Sequence, residues 1–430
     1  MERKIVTKLL DWKKSSGRMP LVLYGARQVG KTYTALSFGK KHYKNTVYCN
    51  FEDSNEIAAV FERDLDPVRI LRELAAKSGE TILPGDTLLF FDEIQACERA
   101  LTSLKYFCEN APEYHIIAAG SLLGIAVNRE KHSFPVGKVK LVTLFPLDFE
   151  EFLLALGKEN YAELIRQSFE SNLPFSLHAS AMDLYRTYLV TGGMPRPVLE
   201  YIEKQDFNFV LAAQKTINDV YVADMAKYAT PLETAKIMAA FASLPAQLAK
   251  ENRKFQYKII KSGARAYDFE APLDWLKASG MIIKCTKITE GKLPLSAYQE
   301  ASSFKLYMTD AGLLCSKFGI PPSAVLVDTP SFDGFKGVLA ENYVCSALTT
   351  NGYVPYYWES RGEAEVDFVI QDQNGGIIPI EVKSSDNVRS KSLGQFVGRY
   401  VPPFALRISA RNFGFENAIK SVPLYAVFCI

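Results

Sequence analysis

Residues 21–42 read LVLYGARQVGKTYTALSFGKKH. This stretch opens with an apolar strand pattern and closes with a segment that favours a helix. Between them lies the spacing G-x-x-x-x-G-K-[ST], set by Gly25, Gly30, Lys31 and Thr32. Glycines let a loop wrap closely, so that backbone N–H groups and the helix N-terminus point at phosphate oxygens. The strand–loop–helix order predicts a phosphate-binding loop and disfavours the alternative, a glycine-rich turn with a surface lysine.

The side chains that follow the loop extend this prediction to a nucleotide and a cation. Lys31 can reach the β- and γ-phosphates, and the Thr32 hydroxyl can bind magnesium. The expected cofactors are therefore ATP and Mg²⁺. The residues expected to contact the nucleotide are those of the loop and the first helical turn: Gly25, Ala26, Arg27, Gln28, Val29, Gly30, Lys31, Thr32 and Tyr33.

A second motif, DTLLFFDEIQ at residues 86–95, ends an apolar strand in Asp92 and Glu93. Acids at the carboxyl end of a parallel strand lie where open α/β sheets bind their ligands. We expect Asp92 to hold the magnesium of the nucleotide, directly or through water, and Glu93 to polarise the attacking water as a catalytic residue, with Lys31. A strand that simply ends in two solvated acids is the alternative, and the phosphate loop upstream favours the catalytic interpretation. Ser121 ends the later strand HIIAAGS and is expected to sense the γ-phosphate, unless it only caps a helix.

The rest of the N-terminal third alternates strands and helices, which predicts a doubly wound α/β fold around a parallel sheet. A chain of 430 residues is long enough for two or three domains, and its formal charge of +2 gives no overall attraction to nucleic acid. Its seven cysteines include no C-x-x-C pair, which disfavours a zinc site and a disulfide framework and suits a reducing cytosol. Neither a signal peptide nor a bilayer-spanning stretch is evident. We expect a soluble, cytoplasmic protein with no membrane partner.

Five motifs in order, GARQVGKT, LLFFDEIQ, AAGS, LFPLDFEEFL and TGGMPRP, together resemble those of prokaryotic AAA-type P-loop ATPases with a C-terminal domain of unknown function. The resemblance covers nearly the whole chain. It implies a P-loop ATPase core over 1–150, a helical lid over 151–229, a winged-helix-like module over 230–325 and a PD-(D/E)XK nuclease-like domain over 326–430. Members of the family use a glutamate after the magnesium aspartate, which matches Glu93.

The family also bears on a positive charge that acts from a neighbouring subunit. Many relatives have Gly-Arg after the sensor strand, where this chain has Gly137-Lys138. Arg129, Lys138 and Arg196 are the candidates for such a charge. The resemblance leaves both a monomer and a homo-oligomer open.

Toward the C-terminus, a helix with Glu341 precedes a strand, a second strand with Asp367, a Gly-Gly turn, and a strand that leads to Glu381 and Lys383. This order resembles the PD-(D/E)XK restriction-endonuclease-like fold. The resemblance implies that Asp367 and Glu381 bind a divalent cation, with Glu341 as an outer metal ligand. It also implies that Lys383 is a catalytic residue that orients the water attacking a phosphodiester. Ordinary strand-end acids, or an intact site in a domain used only for binding, are the alternatives.

Residues 250–265 concentrate positive charge within the expected winged-helix-like module. The cluster comprises Lys250, Arg253, Lys254, Lys258, Lys261 and Arg265, against the single acid Glu251. A recognition helix on DNA phosphates would need such a cluster, so DNA is one candidate partner. A solvated helix face is one alternative, and a docking site for a protein partner is another.

These observations favour ATP binding and magnesium-dependent ATP hydrolysis, with the nucleotide domain driving a change felt by the nuclease-like domain. Two other functions remain open. The first is an ATP-regulated DNA endonuclease that uses the C-terminal site. The second is a nucleotide-dependent switch or scaffold that binds protein partners without cleaving DNA.

Overall fold

A computed structural model describes residues 1–120, 134–228, 230–250, 253–327, 333–360, 364–385 and 391–430. The chain forms two compact units. The N-terminal unit comprises Glu2–Phe145 and Ala278–Gly280, and the C-terminal unit comprises Pro146–Lys277 and Met281–Ile430.

The N-terminal unit is built on a five-stranded sheet whose neighbouring strands are all parallel. Its strands are β1 Leu21–Tyr24, β2 Asn45–Asn50, β3 Thr87–Asp92, β4 His115–Gly120 and β5 Lys140–Thr143. Its helices are α1 Ile5–Lys14, α2 Lys31–His42, α3 Asn55–Val60, α4 Pro67–Ser78 and α5 Glu98–Asn110. The strands lie in the order β2-β3-β4-β1-β5, which confirms the predicted α/β fold with a parallel sheet.

Two apolar cores cover the two faces of this sheet. Leu89 and Phe91 of β3 belong to the core that α3, α4 and α5 complete, whereas Leu88 and Phe90 belong to the core that α1 and α2 complete. Burial on both faces explains why the strands read as continuous apolar runs. Because side chains alternate along a strand, Asp92 points to the same face as Phe90, the face on which α2 lies.

The C-terminal unit begins with helices and ends in a mixed sheet. Its helices are α6 Phe149–Ala155, α7 Glu159–Ser171, α8 His178–Thr191, α9 Pro195–Lys204, α10 Phe207–Tyr228, α11 Pro231–Leu248, α12 Tyr257–Ile260, α13 Ala266–Ala278, α14 Ala311–Phe318, α15 Pro322–Leu326, α16 Asp333–Thr350 and α17 Lys391–Tyr400. The helices α6 to α10 occupy most of residues 151–229, and the helical lid expected there stays a prediction. In the described part of the chain, no helix is both long enough and apolar enough to cross a bilayer.

The mixed sheet has eight strands in the order β12-β13-β11-β10-β9-β8-β6-β7. They are β6 Ile282–Ile288, β7 Gln299–Met308, β8 Tyr356–Glu359, β9 Glu365–Gln371, β10 Ile377–Val382, β11 Ala405–Ser409, β12 Gly414–Glu416 and β13 Ile419–Pro423. The antiparallel hairpin of β6 and β7 joins the later strands through the parallel pair β6–β8. One sheet therefore spans the boundary expected at residue 325. The winged-helix-like and nuclease-like assignments stay predictions, but they do not correspond to separate sheets.

Buried Asp310 holds the TGGMPRP stretch, residues 191–197, in place. Its carboxylate accepts a hydrogen bond from the Gly193 N–H at 2.6 Å and another from the Leu313 N–H, at the start of α14, at 2.7 Å. Gly192 has φ of +72°, and a Cβ added there would lie 2.3 Å from Asp310 Oδ1. The carboxylate of Asp310 thus leaves no room for a side chain at Gly192, and the Leu147 carbonyl oxygen, 1.9 Å from an added Cβ, leaves none at Gly193.

We expect Asp310→Ala to lower the free energy of unfolding by about 3 kcal/mol, because two buried backbone N–H groups lose their acceptor. Chemical denaturation followed by circular dichroism measures this loss. Asp183→Ala is the matched control, because it removes an exposed carboxylate that pairs with Arg186 on the same helix. If Asp310→Ala were no more destabilising than Asp183→Ala, the structural role of Asp310 would be wrong.

Candidate functional site

The predicted phosphate loop lies between the end of β1 and the start of α2. Gly25 has φ of +150°, and a Cβ added there would lie 2.1 Å from the Leu144 carbonyl oxygen. Gly30 caps the N-terminus of α2 with φ of +96°. Residues with a side chain rarely adopt such angles, so the backbone itself requires glycine at both ends of the loop. Gln28, between them, also has a positive φ of 63°.

The ammonium group of Lys31 folds back on the loop. It donates to the carbonyl oxygens of Gly25 and Ala26 at 2.9 and 3.0 Å, and the side chain is buried. A lysine cation inside the concave side of the loop gives this surface the charge that phosphate binding needs.

Arg3, which lies outside the motif, forms a hydrogen bond to the same loop. Its guanidinium donates to the Val29 carbonyl at 3.2 Å and to the Phe145 carbonyl at 2.6 Å, and it is buried. No sequence motif points to Arg3, because its partners lie 26 and 142 residues away along the chain.

Thr32 and Asp92 meet at the carboxyl end of β3, as their motifs predict. Thr32 Oγ1 donates to Asp92 Oδ2 at 2.7 Å, while Asp92 Oδ1 accepts from the Glu93 N–H at 3.1 Å. Only 3% of the Asp92 surface is exposed. A hydroxyl and a carboxylate side by side are the hard oxygen ligands that Mg²⁺ prefers, so these two residues fit the predicted cation.

Tyr48 is a second residue that the motifs do not reveal. Its hydroxyl donates to Asp92 Oδ2 at 3.2 Å, and its ring stacks on Phe90 with 5.4 Å between the centroids. Burial, followed by the charge of Asp92, raises the pKa of Tyr48 to about 12, so the hydroxyl stays a donor. The pairing of β2 with β3 brings the ring there, and the sequence motif contains no sign of that pairing.

Glu93 follows Asp92 in a left-handed backbone conformation, with φ of 48°. Few glutamates adopt this angle, and such residues concentrate at functional sites. Gln95 Nε2 donates to Glu93 Oε2 at 2.5 Å. Burial raises the pKa of Glu93, and the hydrogen bond from Gln95 and the charge of Lys31 oppose that rise.

The remaining predictions for the nucleotide site are the γ-phosphate sensor Ser121 and the candidates for a trans-acting charge. Ser121 and Arg129 lie outside the described residues. Lys138 forms an ion pair with Glu109 at 2.8 Å. Arg196 forms an ion pair with Glu200, one turn along α9. Both described candidates for a trans-acting charge therefore already have a carboxylate partner in this chain.

In the C-terminal unit, adjacent strands bring three of the four predicted site residues together. Asp367 lies on β9 and Glu381 on the neighbouring strand β10, and Asp367 Oδ2 accepts from the Val382 N–H at 2.8 Å. Lys383 Nζ lies 2.7 Å from Glu381 Oε1. Burial lowers the pKa of Lys383, but the hydrogen bond and charge of Glu381 outweigh that effect and leave it raised.

Glu341, the fourth predicted residue, is bound by protein cations. It is buried on α16 and forms ion pairs with Arg253 and with Lys305, the latter at 3.1 Å. The hydroxyl of Tyr307 also donates to it. Across the described ranges, no group of three or more His, Cys, Asp or Glu side chains has an arrangement suited to a metal ion. Metal binding by Glu341, Asp367 and Glu381 stays a prediction.

The basic cluster expected over 250–265 is divided in the structure. Arg253 and Lys254 form ion pairs with Glu341 and Glu359 of the same unit. The four other members are exposed: Lys250, Lys258, Lys261 and Arg265. The following helix, α13, carries three acids and one lysine, namely Asp268, Glu270, Asp274 and Lys277. This acidic helix does not have the charge expected of a DNA-recognition helix.

Three family models match successive parts of the chain. Residues 17–153 match the family described as an AAA domain. Residues 182–324 match a domain of unknown function (DUF8612), and residues 336–427 match another (DUF4143). The N-terminus therefore carries an AAA-type P-loop ATPase domain, as its motifs predict. No curated protein matches the chain in sequence.

Several solved structures are similar to the chain at low identity. The Walker-type ATPase PABY2304 of Pyrococcus abyssi is 16% identical, with 73% of this chain and 95% of that chain covered and a TM-score of 0.44. The Aeropyrum pernix ORC2 protein in ADPNP–ADP complexes is 12% identical, with 78% and 90% covered and a TM-score of 0.36. The Aeropyrum pernix ORC1 protein in complex with DNA is 12% identical, with 75% and 92% covered and a TM-score of 0.30. At these scores, the assignment of the N-terminal domain depends on its family match and its motifs.

The close approach of Gly25 to Leu144 leads to a stability prediction. We expect Gly25→Ala to lower the free energy of unfolding by about 2 kcal/mol, because the added Cβ would force both backbone and neighbour to move. Gly17→Ala is the control, since a Cβ at Gly17 meets no atom within 4 Å. Denaturation of both variants measures the difference, and equal stabilities would contradict the loop geometry.

Proposed function

We propose that the N-terminal unit binds ATP and hydrolyses it with the help of Mg²⁺. The observation that carries the proposal is the 2.7 Å hydrogen bond from Thr32 Oγ1 to Asp92 Oδ2, next to the buried Lys31. It joins the hydroxyl that follows the loop lysine to the acid at the tip of β3, and both groups suit Mg²⁺. The match of residues 17–153 to an AAA domain supports the same chemistry.

The loop would hold the triphosphate mainly through its backbone. Glycine at positions 25 and 30 lets the N–H groups from Gly25 to Tyr33 converge on phosphate oxygens at the start of α2. The Lys31 ammonium would exchange its two carbonyl acceptors for the β- and γ-phosphates. Bound Mg²⁺, with Thr32 and Asp92 as its protein ligands, would neutralise charge on the phosphate oxygens.

Glu93 would accept a proton from the attacking water. Burial makes its carboxylate a stronger base than a solvated glutamate, as the raised pKa indicates. The Gln95 amide holds Glu93 Oε2, and this contact fixes the direction in which the other oxygen points. Gln95 thus acts as a positioning residue for the base.

Of the two other functions that the sequence leaves open, we favour the nucleotide-dependent switch over the DNA endonuclease. Glu341 is bound by Arg253 and Lys305, and Glu381 is bound by Lys383. These ion pairs compete with a catalytic cation for the same carboxylates. The acidic helix α13 also weakens the case for DNA as the partner. Transmission of the nucleotide state to the C-terminal unit, to DNA, to a protein partner or to a second copy stays a prediction.

We expect Glu93→Gln to bind ATP as the wild type does and to lower kcat by about 10²-fold or more, because a positioned base contributes at least this much. Phosphate release measures turnover, and titration with a fluorescent ATP analogue measures binding. The control is Glu113→Gln, which changes an exposed glutamate at the opposite end of the sheet, just before β4.

A turnover of Glu93→Gln equal to that of Glu113→Gln would remove Glu93 as the base. Absence of ATP binding by the folded wild-type chain would overturn the whole proposal, whichever residue acts as the base.

A further inference from the structure

The predicted metal ligands of the C-terminal unit belong to a larger charged cluster, called here the carboxylate cluster. Its members come from α16, β7, β9, β10 and the segment before α12. They are the acids Glu341, Glu365, Asp367 and Glu381 and the bases Arg253, Lys305 and Lys383. Among the described residues, four carboxylates thus face three protein cations, so that these seven side chains carry a formal net charge of −1.

Lys305 lies at the centre of this cluster. It is 1% exposed, and its Nζ lies 3.1 Å from Glu341 Oε1 and 2.6 Å from Glu365 Oε1. Tyr307, two residues along β7, donates its hydroxyl to the same Glu341 oxygen. The first oxygen of Glu341 therefore already has a cation and a hydroxyl as partners.

Arg253 is the partner of the second carboxylate oxygen of Glu341. Its guanidinium forms an ion pair with Glu341 Oε2. The backbone of Arg253 has φ of 49°, an uncommon angle for a residue with a side chain. The guanidinium therefore occupies the oxygen of Glu341 that Lys305 and Tyr307 leave open.

The charge balance indicates how this cluster responds to a divalent cation. With one net negative charge, the cluster would become positive on gaining Mg²⁺ or Mn²⁺, in a place where burial makes uncompensated charge costly. Either oxygen of Glu341 that bound the ion would also have to share or lose a partner that it has now. The residues present therefore do not fit a divalent cation in this arrangement.

We infer that Arg253 is the internal counter-ion of the carboxylate cluster, and that it excludes divalent cations from the predicted metal ligands Glu341, Asp367 and Glu381. The ion pairs of the cluster then link the segment before α12 to the rest of the C-terminal unit. Lys254 adds another such link, because it pairs with Glu359 of β8. This inference concerns the C-terminal unit and does not depend on ATP hydrolysis by the N-terminal unit.

The test is Mn²⁺ binding by the full, nucleotide-free chain, measured by electron paramagnetic resonance of free Mn²⁺. Arg253→Met keeps the length of the side chain and removes its charge. We expect this variant to gain at least about tenfold in affinity at one Mn²⁺ site, and adding Asp367→Asn to it should remove that gain. Because the comparison depends on Asp367→Asn, Mn²⁺ at the N-terminal site does not contribute to the difference.

Lys254→Met is the matched control, since it removes the neighbouring cation from Glu359 and should leave Mn²⁺ binding unchanged. The inference is overturned if the wild type already holds a Mn²⁺ ion that Asp367→Asn removes. It is also overturned if folded Arg253→Met gains no site. Should Arg253→Met fail to fold, Arg253→Gln and the comparison of the wild type with Asp367→Asn decide the question.

Discussion

Asp92 Oδ2 accepts hydrogen bonds from Thr32 at 2.7 Å and from Tyr48 at 3.2 Å, so side chains from β3, α2 and β2 meet at one oxygen. These contacts require β3 to lie next to β2 in the sheet. They also require the side chain of Asp92 to point to the face of the sheet that α2 covers. The position of the phosphate loop is tied to the same contacts, since the loop leads directly into Lys31 and Thr32, the first residues of α2. The glycines at the ends of the loop and Arg3 behind it fix where that helix begins.

The parts of this site that the sequence predicts are those in which chemistry follows from local spacing. The loop glycines, Lys31 and Thr32 are neighbours in the chain, and Asp92 ends a short apolar run that is typical of a buried strand. Tyr48 and Arg3 escape prediction because each reaches the site through strand pairing or through contacts with distant segments. The left-handed backbone of Glu93 is likewise invisible in the letters DEIQ, although it decides where the carboxylate points.

In the C-terminal unit, too, the sequence predicts only part of the site. The positions of Asp367, Glu381 and Lys383 on adjacent strands follow the sequence pattern, and the structure brings these residues together. Their predicted partner Glu341 is instead bound by Arg253 and Lys305, which lie in segments that the pattern treats as a separate module. The net charge of a site includes side chains from every segment that packs around it. A motif that specifies only the acids therefore does not give that net charge. The TGGMPRP stretch also has a structural role that its spacing does not reveal, because Gly192 makes room for the carboxylate of Asp310 and the Gly193 N–H donates to it.

We propose that Thr32 and Asp92 together hold the cation of a bound nucleotide. The affinity of a fluorescent ATP analogue tests this claim when it is measured for the wild type, Thr32→Val and Asp92→Asn, each with Mg²⁺ and with excess chelator. We expect Mg²⁺ to strengthen binding by about tenfold or more in the wild type and to have no such effect in either variant. An equal effect of Mg²⁺ in all three proteins would contradict the claim.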